Sequence, residues 1–267
     1  MTTSQVGAAY ERAAKENRAA LVGYLPAGFP SKAGCIAALT AMVQSGVDVV
    51  EVGLPYSDPV LDGPTIQAAA DRALANGTRI VDVLATVEAV AATGAATVVM
   101  TYWNPVLRYG VDRFARDLAA AGGAGLITPD LTPDSGPDWL EASDAHGLDR
   151  IFLAAPSTTD ERLRLTADAC RGFIYATAVM GVTGARAQTS SLAPTLVARL
   201  REVTDLPIGV GLGVSNGDQA AEVGAFADGV IVGSAFVRAL LDAPHLEAGV
   251  AGCAALAADL AAGVRRR

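Results

Sequence analysis

The sequence predicts an α/β fold, a single (β/α)8 TIM barrel with an extra N-terminal helix, in which residues 1–267 form one domain. Three observations predict it. The chain has 267 residues, close to the roughly 250 that one such barrel occupies. Short β-branched runs recur along the chain with helical stretches between them, the pattern of strands joined by helical crossovers. Most of those runs are apolar throughout rather than alternating, as expected for parallel strands covered on both faces.

The predicted strands, in order, are 21–25, 49–54, 97–102, 124–128, 150–154, 173–178, 206–211 and 229–232. Helical spacing of Ala, Leu and Arg predicts helices over 31–44, 65–74, 111–120 and 193–201. Residues 1–17 read as a further helix able to plug the bottom of the barrel. No linker, low-complexity tract or break in composition divides the chain.

Composition narrows the function. Hydrophobic residues make up 51% and charged residues 18%, which excludes a disordered, solvating chain. Lys plus Arg number 20 against 28 Asp plus Glu, a formal net charge of −8. Such a chain lacks the electrostatic footprint for nucleic acid or an anionic membrane. Cys35, Cys170 and Cys253 are far apart and form neither a CxxC pair nor a zinc spacing, so neither a disulfide framework nor a metal is expected. The N-terminus lacks a signal-peptide pattern, and no apolar run approaches the roughly 18 residues of a membrane span. Mean hydropathy is +0.35, from Ala and Val spread along the whole chain. A cytoplasmic protein is expected.

Polar residues concentrate just after the apolar runs, where a barrel places its active site. Glu51 stands inside an otherwise apolar strand, and a carboxylate pointing into a barrel is costly to desolvate. Burial raises its pKa, which suits a group that both gives and takes a proton near neutrality. Asp62 follows in a Pro- and Gly-punctuated loop that can fold back over the strand end. A plainer reading pairs Glu51 with an arginine and makes Asp62 the cap of a helix starting near Pro64.

Glycines mark three later strand ends: Gly181 and Gly184, Gly211 and Gly213, and Gly233 followed by Ser234. Glycine lets backbone N–H groups approach an anion, and a helix starting near Ser234 aims its positive end at it. Barrels often hold phosphate at the loops after strands seven and eight. Tyr24, Tyr102 and Tyr175 fall within or at the end of the first, third and sixth runs, able to wall a flat apolar substrate or simply to fill the core. Lys15 and Lys32 lie in helical stretches, so a Schiff-base aldolase has no strand lysine. His146, in a Gly-flanked loop, and His245, after a late proline, follow no strand, which disfavours a histidine-bound zinc. Carboxylate acid–base chemistry on a phosphorylated molecule remains.

At these residues the sequence resembles the tryptophan synthase alpha chain family. The likeness is carried by Glu-Val-Gly-Leu-Pro-Tyr-Ser-Asp-Pro-Val-Leu-Asp-Gly-Pro-Thr-Ile-Gln over 51–67 and by Thr-Tyr-Trp-Asn-Pro over 101–105. Gly-Leu-Ile-Thr-Pro-Asp over 125–130, Gly-Val-Thr-Gly over 181–184 and the turns at Gly213 and Gly233-Ser234 agree, so it runs over nearly the whole chain. Phe29, Leu212 and Thr132 depart from the family's usual residues.

The resemblance implies a lyase of tryptophan biosynthesis, performing retro-aldol cleavage of indole-3-glycerol phosphate to indole and glyceraldehyde 3-phosphate. It implies Glu51 as the general acid–base and Asp62 as the partner of the indole N–H. Tyr175 would place the reacting atoms, and Tyr24 and Tyr102 would line the indole pocket. Thr183 and the amides near Gly184, Gly213, Gly233 and Ser234 would hold the phosphate. It further implies no cofactor on this chain, with pyridoxal phosphate on a partner beta chain in an alpha2beta2 heterotetramer that receives the indole. The stretches 55–59 and 102–109 mix aromatics with proline and suit the partner surface, with Asp58 as an intersubunit contact. A related phosphate-barrel isomerase would need a strand-end Cys or Lys, which is absent. The other alternative is a catalytically weak, phosphate-ligand-binding subunit that regulates a partner enzyme. The sequence is compatible with the loops 56–62 and 179–190 being ordered or unordered without ligand; loops rich in Gly, Ser and Thr that lack large apolar anchors often close only on binding.

Overall fold

A computed structural model of the chain describes residues 4–177 and 192–266. Helix α1 (Gln5–Lys15) precedes β1 (Ala20–Pro26), α2 (Lys32–Gln44) and β2 (Val49–Gly53). Then come α3 (Pro64–Ala75), α4 (Ile80–Ala91), β3 (Ala96–Met100), α5 (Trp103–Tyr109), α6 (Val111–Ala120) and β4 (Gly125–Thr128). A short 3-10 turn at Pro133–Ser135 leads into α7 (Pro137–His146), β5 (Asp149–Ala154), α8 (Asp160–Ala169) and β6 (Ile174–Thr177). The chain continues through α9 (Leu192–Arg201), β7 (Ile208–Gly211), α10 (Gly217–Gly224), β8 (Gly229–Val232), α11 (Ser234–Leu241) and α12 (Leu246–Gly263). All eight strands pair in parallel with their sequence neighbours, and β8 closes on β1 to make the barrel.

The eight predicted runs are therefore the eight strands. Their ends differ by a few residues: Tyr102 lies just past β3, as the N-cap of α5, and 206–207 precede β7. Helices α4 and α5 are additional, whereas the crossover helices α7, α8 and α10 take the places expected between strands, though no bounds were read for them. His146 is accordingly the last residue of α7 rather than a loop residue, and His245 is the N-cap of α12, accepting from the Ala248 amide at 3.2 Å.

The core has two shells. Outside the barrel wall, Leu21, Val50, Val52, Val99 and Leu126 pack against the helix layer. Inside it, Val22, Val49, Val98, Ile127, Ile151 and Ile231 fill the lumen together with Val6, Ala9, Tyr10 and Ala13 of α1. The plug is real: α1 turns its apolar stripe into the barrel bottom. Ser4 fixes its start, accepting from the Gly7 amide at 2.8 Å and donating to Asp149 on β5 at 2.7 Å. Arg18 fixes its end through two bonds to Asp48, at 2.6 and 2.8 Å.

One expectation needs correcting. Helix α12 spans 18 residues at a mean hydropathy of 1.4, long and apolar enough by length and composition to cross a bilayer, and 28% of that window is buried. Its hydropathy comes largely from Ala and Leu, and its small residues let it lie close on α2, α10 and α11. Gly263 abuts the Gly217 backbone, where no Cβ fits, and Asp259 accepts from the Gly217 amide at 2.7 Å. Cys253, Ala257 and Leu260 enter the outer core.

Candidate active site

Glu51 sits mid-strand in β2, paired in register with Tyr24 of β1 and Val98 of β3. It shares the lumen-facing side of the strand with Val49, two residues earlier, because strand side chains alternate. The residue is 1% exposed, and its Oε1 has no hydrogen-bond partner among the described residues. Burial alone pushes the carboxyl up to about 8. Among the described residues no arginine pairs with it, so the pairing reading has no support there.

Asp62 lies on the loop between β2 and α3. The N-cap of α3 is Gly63, with Pro64 at the first helical position, so Asp62 is not the cap. Its backbone is held instead: its amide donates to the Pro59 carbonyl at 3.2 Å, and Gln67 Nε2 donates to its carbonyl at 2.9 Å. Partial burial raises its carboxyl to about 6, against the lowering effect of a hydrogen bond from Tyr102. The two carboxyls thus straddle neutrality, one mainly protonated at pH 7 and the other mainly ionised, the arrangement that separates acid from anion roles.

Three tyrosines converge on this pair. The Tyr24 ring crosses the barrel mouth between Gly53 and Gly233, and a Cβ at Gly53 would collide with its hydroxyl. The Tyr175 ring lies over Gly211, where a Cβ would come within 2.6 Å of its hydroxyl. Burial and the neighbouring charges of Glu51 and Asp62 both push the Tyr24 and Tyr175 hydroxyls well above the usual phenol range. Tyr102 accepts from the Leu61 amide at 2.9 Å and stacks obliquely on Tyr56, ring centres 5.4 Å apart.

Sequence reasoning missed several neighbours. Met100 and Leu153 are partly open apolar side chains packed on the upper edge of the lumen cluster, where they extend the apolar wall. Gly53 and Gly211 went unrecognised as seats for tyrosine rings, because a glycine's tolerance of close approach leaves no pattern along the chain. Asp130, just past β4, accepts two bonds from the Trp103 amide at 2.9 and 3.1 Å and caps α5. Partial burial raises its carboxyl.

On the opposite arc, β7 and β8 pair through Gly211 and Ile231, so Gly213 and Gly233 each stand two residues beyond a matched pair. Gly213 has a φ of +73°, a left-handed turn that favours glycine. Gly233 is the N-cap of α11 and has no side chain to satisfy that helix's first amides; Ser234, buried, opens the helix. These features build a helix N-terminus beside a glycine turn, as an anion requires. Thr183 and Gly184, and the loop 179–190, lie outside the described residues. Among the described residues, no cluster of three or more His, Cys, Asp or Glu side chains is placed to share a metal ion.

Asp58 is exposed on the outer part of the β2 loop and accepts from the Ser57 hydroxyl at 2.6 Å. Around it Val60 is 73% exposed, and on α5 Leu107 is 53% exposed. Asn104 Nδ2 ties α5 to that loop through the Tyr56 hydroxyl at 3.1 Å.

Residues 10–264 match the family described as tryptophan synthase alpha chain. The chain belongs to that family. A tryptophan synthase alpha chain from Salinispora arenicola is 66% identical over 98% of both chains. One from Mycobacterium avium is 59% identical over 99% of this chain and 96% of its own length. Among solved structures, Mycobacterium tuberculosis tryptophan synthase superposes with a TM-score of 0.92 at 58% identity, covering 98% of each chain. With family membership, the closed barrel and the Glu51–Asp62 pair, the reading as a merely regulatory subunit loses ground. Phe29 and Leu212, two departures from the family's usual residues, are both buried; Phe29 lies under the Arg72 guanidinium, 5.8 Å from its ring centre.

Proposed function

We propose that this chain cleaves indole-3-glycerol phosphate to indole and glyceraldehyde 3-phosphate by general acid–base catalysis at Glu51 and Asp62. The observation that carries the reading is Glu51, a carboxyl enclosed by the barrel with no counter-cation among the described residues, protonated at neutral pH, while Asp62, which shares the neighbourhood of Tyr24 and Tyr175, is mainly ionised.

Glu51 donates its proton to the ring carbon that bears the glycerol chain, leaving a cationic ring. Asp62 accepts a hydrogen bond from the ring N–H and stabilises that charge. The Glu51 carboxylate, now without its proton, takes the hydroxyl proton of the adjoining carbon as the carbon–carbon bond breaks. The bond's electron pair returns to the ring, the carbon becomes an aldehyde, and Glu51 ends as it began. Tyr24, Tyr102, Met100 and Leu153 wall the ring, and Tyr175 orients the reacting atoms. The amides at Gly213, Gly233 and Ser234, with Thr183 and Gly184, hold the phosphate without a basic side chain.

The reading includes a beta-chain partner carrying pyridoxal phosphate, in an alpha2beta2 assembly, while this chain uses no cofactor of its own. The exposed Asp58, Val60 and Leu107, on the loop after β2 and on α5 after β3, support that docking, since the two apolar side chains are left open to solvent. Three buried free thiols suit a reducing compartment, so a cytoplasmic location forms part of the reading. The test is indole release from indole-3-glycerol phosphate by the purified chain, alone and with a beta chain. Release in either setting that disappears with Glu51→Gln supports the proposal, and no release in both overturns it.

A further inference from the structure

Tyr10 enters the barrel from α1 and is 3% exposed, yet its hydroxyl has no hydrogen-bond partner among the described residues. Its ring stacks on Phe173 at the foot of β6, ring centres 5.2 Å apart and planes 27° apart. Phe173 in turn lies 6.3 Å from Tyr175 at a tilt of 34°. Each ring is seated against a glycine. A Cβ at Gly209 would sit 2.7 Å from the Tyr10 hydroxyl and 2.9 Å from Phe173, and one at Gly229 would sit 2.5 Å from the Tyr10 hydroxyl. Gly211 leaves the matching space for Tyr175.

The lumen therefore holds a continuous column of three aromatic rings. It runs from the N-terminal helix to the candidate active site, along the β6–β8 side where glycines replace inward side chains. Close-packed interiors transmit displacement because they contain little free volume. The α1 end of the column is fixed by Ser4–Asp149 and Arg18–Asp48. Filling the barrel bottom would need only an aliphatic side chain; a ring stacked on a second ring, itself against Tyr175, does more.

We propose that Tyr10 is a positioning residue of the lyase reaction, acting through Phe173 to set the ring of Tyr175 against the substrate. The ring does this and the hydroxyl does not, since the hydroxyl has no partner among the described residues. The inference rests on the function proposed above, because Tyr175 positions substrate only if that reading holds.

The experiment combines kinetics with a spectroscopic signal that does not depend on activity. Tyr10→Leu, Tyr10→Phe and Phe173→Leu are assayed for indole release well below their unfolding midpoints. In parallel, 19F NMR of 3-fluorotyrosine-labelled chains follows Tyr175, its resonance assigned by its loss in Tyr175→Phe. Tyr10→Leu should lower kcat by about 10- to 100-fold, the cost of a misplaced reacting geometry, with KM changed far less. It should also move the Tyr175 resonance, whereas Tyr10→Phe keeps kcat within about two-fold of the parent and leaves that resonance in place. Phe173→Leu should reproduce Tyr10→Leu and serves in its place if that variant does not fold. A Tyr10→Leu chain that is less stable but has parental kcat and an unmoved Tyr175 resonance overturns the proposal, leaving α1 a plug. Equal loss in Tyr10→Phe and Tyr10→Leu also overturns it. A parent chain that releases no indole, while the resonance still responds to Tyr10→Leu, sinks the reaction and not the column.

Discussion

The Tyr102 hydroxyl accepts a hydrogen bond from the Leu61 amide at 2.9 Å and donates one to the Asp62 carboxylate. One side chain from the far end of β3 thus holds both the backbone and the carboxylate of a loop that belongs to β2. Asp62 is brought over the lumen by this bond rather than by any helix cap, and the same bond holds its carboxyl lower than burial alone would.

Tyr102→Phe should therefore act on Asp62 while keeping the apolar wall. Without the donor, the Asp62 carboxyl rises above about 6. The acid limb of the activity profile should move to higher pH. The Leu61 amide also loses its partner, so kcat at neutral pH should fall by about tenfold as the loop loses its fixed geometry. Indole release measured between pH 5 and 9 checks this, and an unmoved acid limb would show that Tyr102 serves only as wall.

Glu51→Gln should abolish nearly all cleavage, since general acid–base transfer contributes about 100- to 10,000-fold. The same substitution should stabilise the fold at high pH. The buried carboxyl binds its proton up to about 8 in the folded chain, against about 4.3 unfolded. Between those values the folded state holds more protons, so stability falls as pH rises through that window. Glutamine does not ionise and escapes the loss. Denaturant midpoints should be similar near pH 4, and the variant should lead increasingly towards pH 8. An equal offset at both ends would mean that the Glu51 carboxyl ionises as freely in the folded chain as in the unfolded one.

The barrel was legible because its strands are uniformly apolar, a pattern that survives without any tertiary information. Glu51 was legible for the same reason, as the one carboxylate in such a run. Helices α4 and α5 escaped for different reasons: α4 carries a helical stripe of Val83, Thr86, Val87 and Val90 that went unread, whereas α5 is only seven residues long and its first amide is held by Asp130 from the loop after β4. The 18-residue α12 was misjudged because Glu247 and Asp259 interrupt its apolar run, while its Ala and Leu residues still give the whole window a mean hydropathy of 1.4. The seating of Tyr24 on Gly53 and of Tyr10 on Gly209 and Gly229 depends on strand register, which a single sequence does not display.

Asp58→Ala should separate partner activation from substrate binding. Asp58 is exposed, as are Val60 on the same loop and Leu107 on α5. Its loss removes a rim charge, which acts mainly on association. In a titration with a beta chain, activation of indole release should require more partner or reach a lower plateau. Substrate affinity of the isolated chain should stay unchanged. Parental activation would remove Asp58 from the interface.

The pH dependence tests the division of labour between the two carboxyls. In the free chain Glu51 must be protonated, with its carboxyl at about 8, and Asp62 ionised, with its carboxyl at about 6. A plot of kcat/KM against pH reports the free enzyme's essential acid and base. It should form a bell, falling above about pH 8 as Glu51 loses the proton it donates and below about pH 6 as Asp62 gains one. Asp62→Asn, which keeps the phosphate amides and hence substrate binding, should lower turnover and flatten the acid limb while leaving the alkaline limb in place. If the alkaline limb disappears with Asp62→Asn and the acid limb persists, the two roles are reversed, and Asp62 rather than Glu51 delivers the proton to the ring.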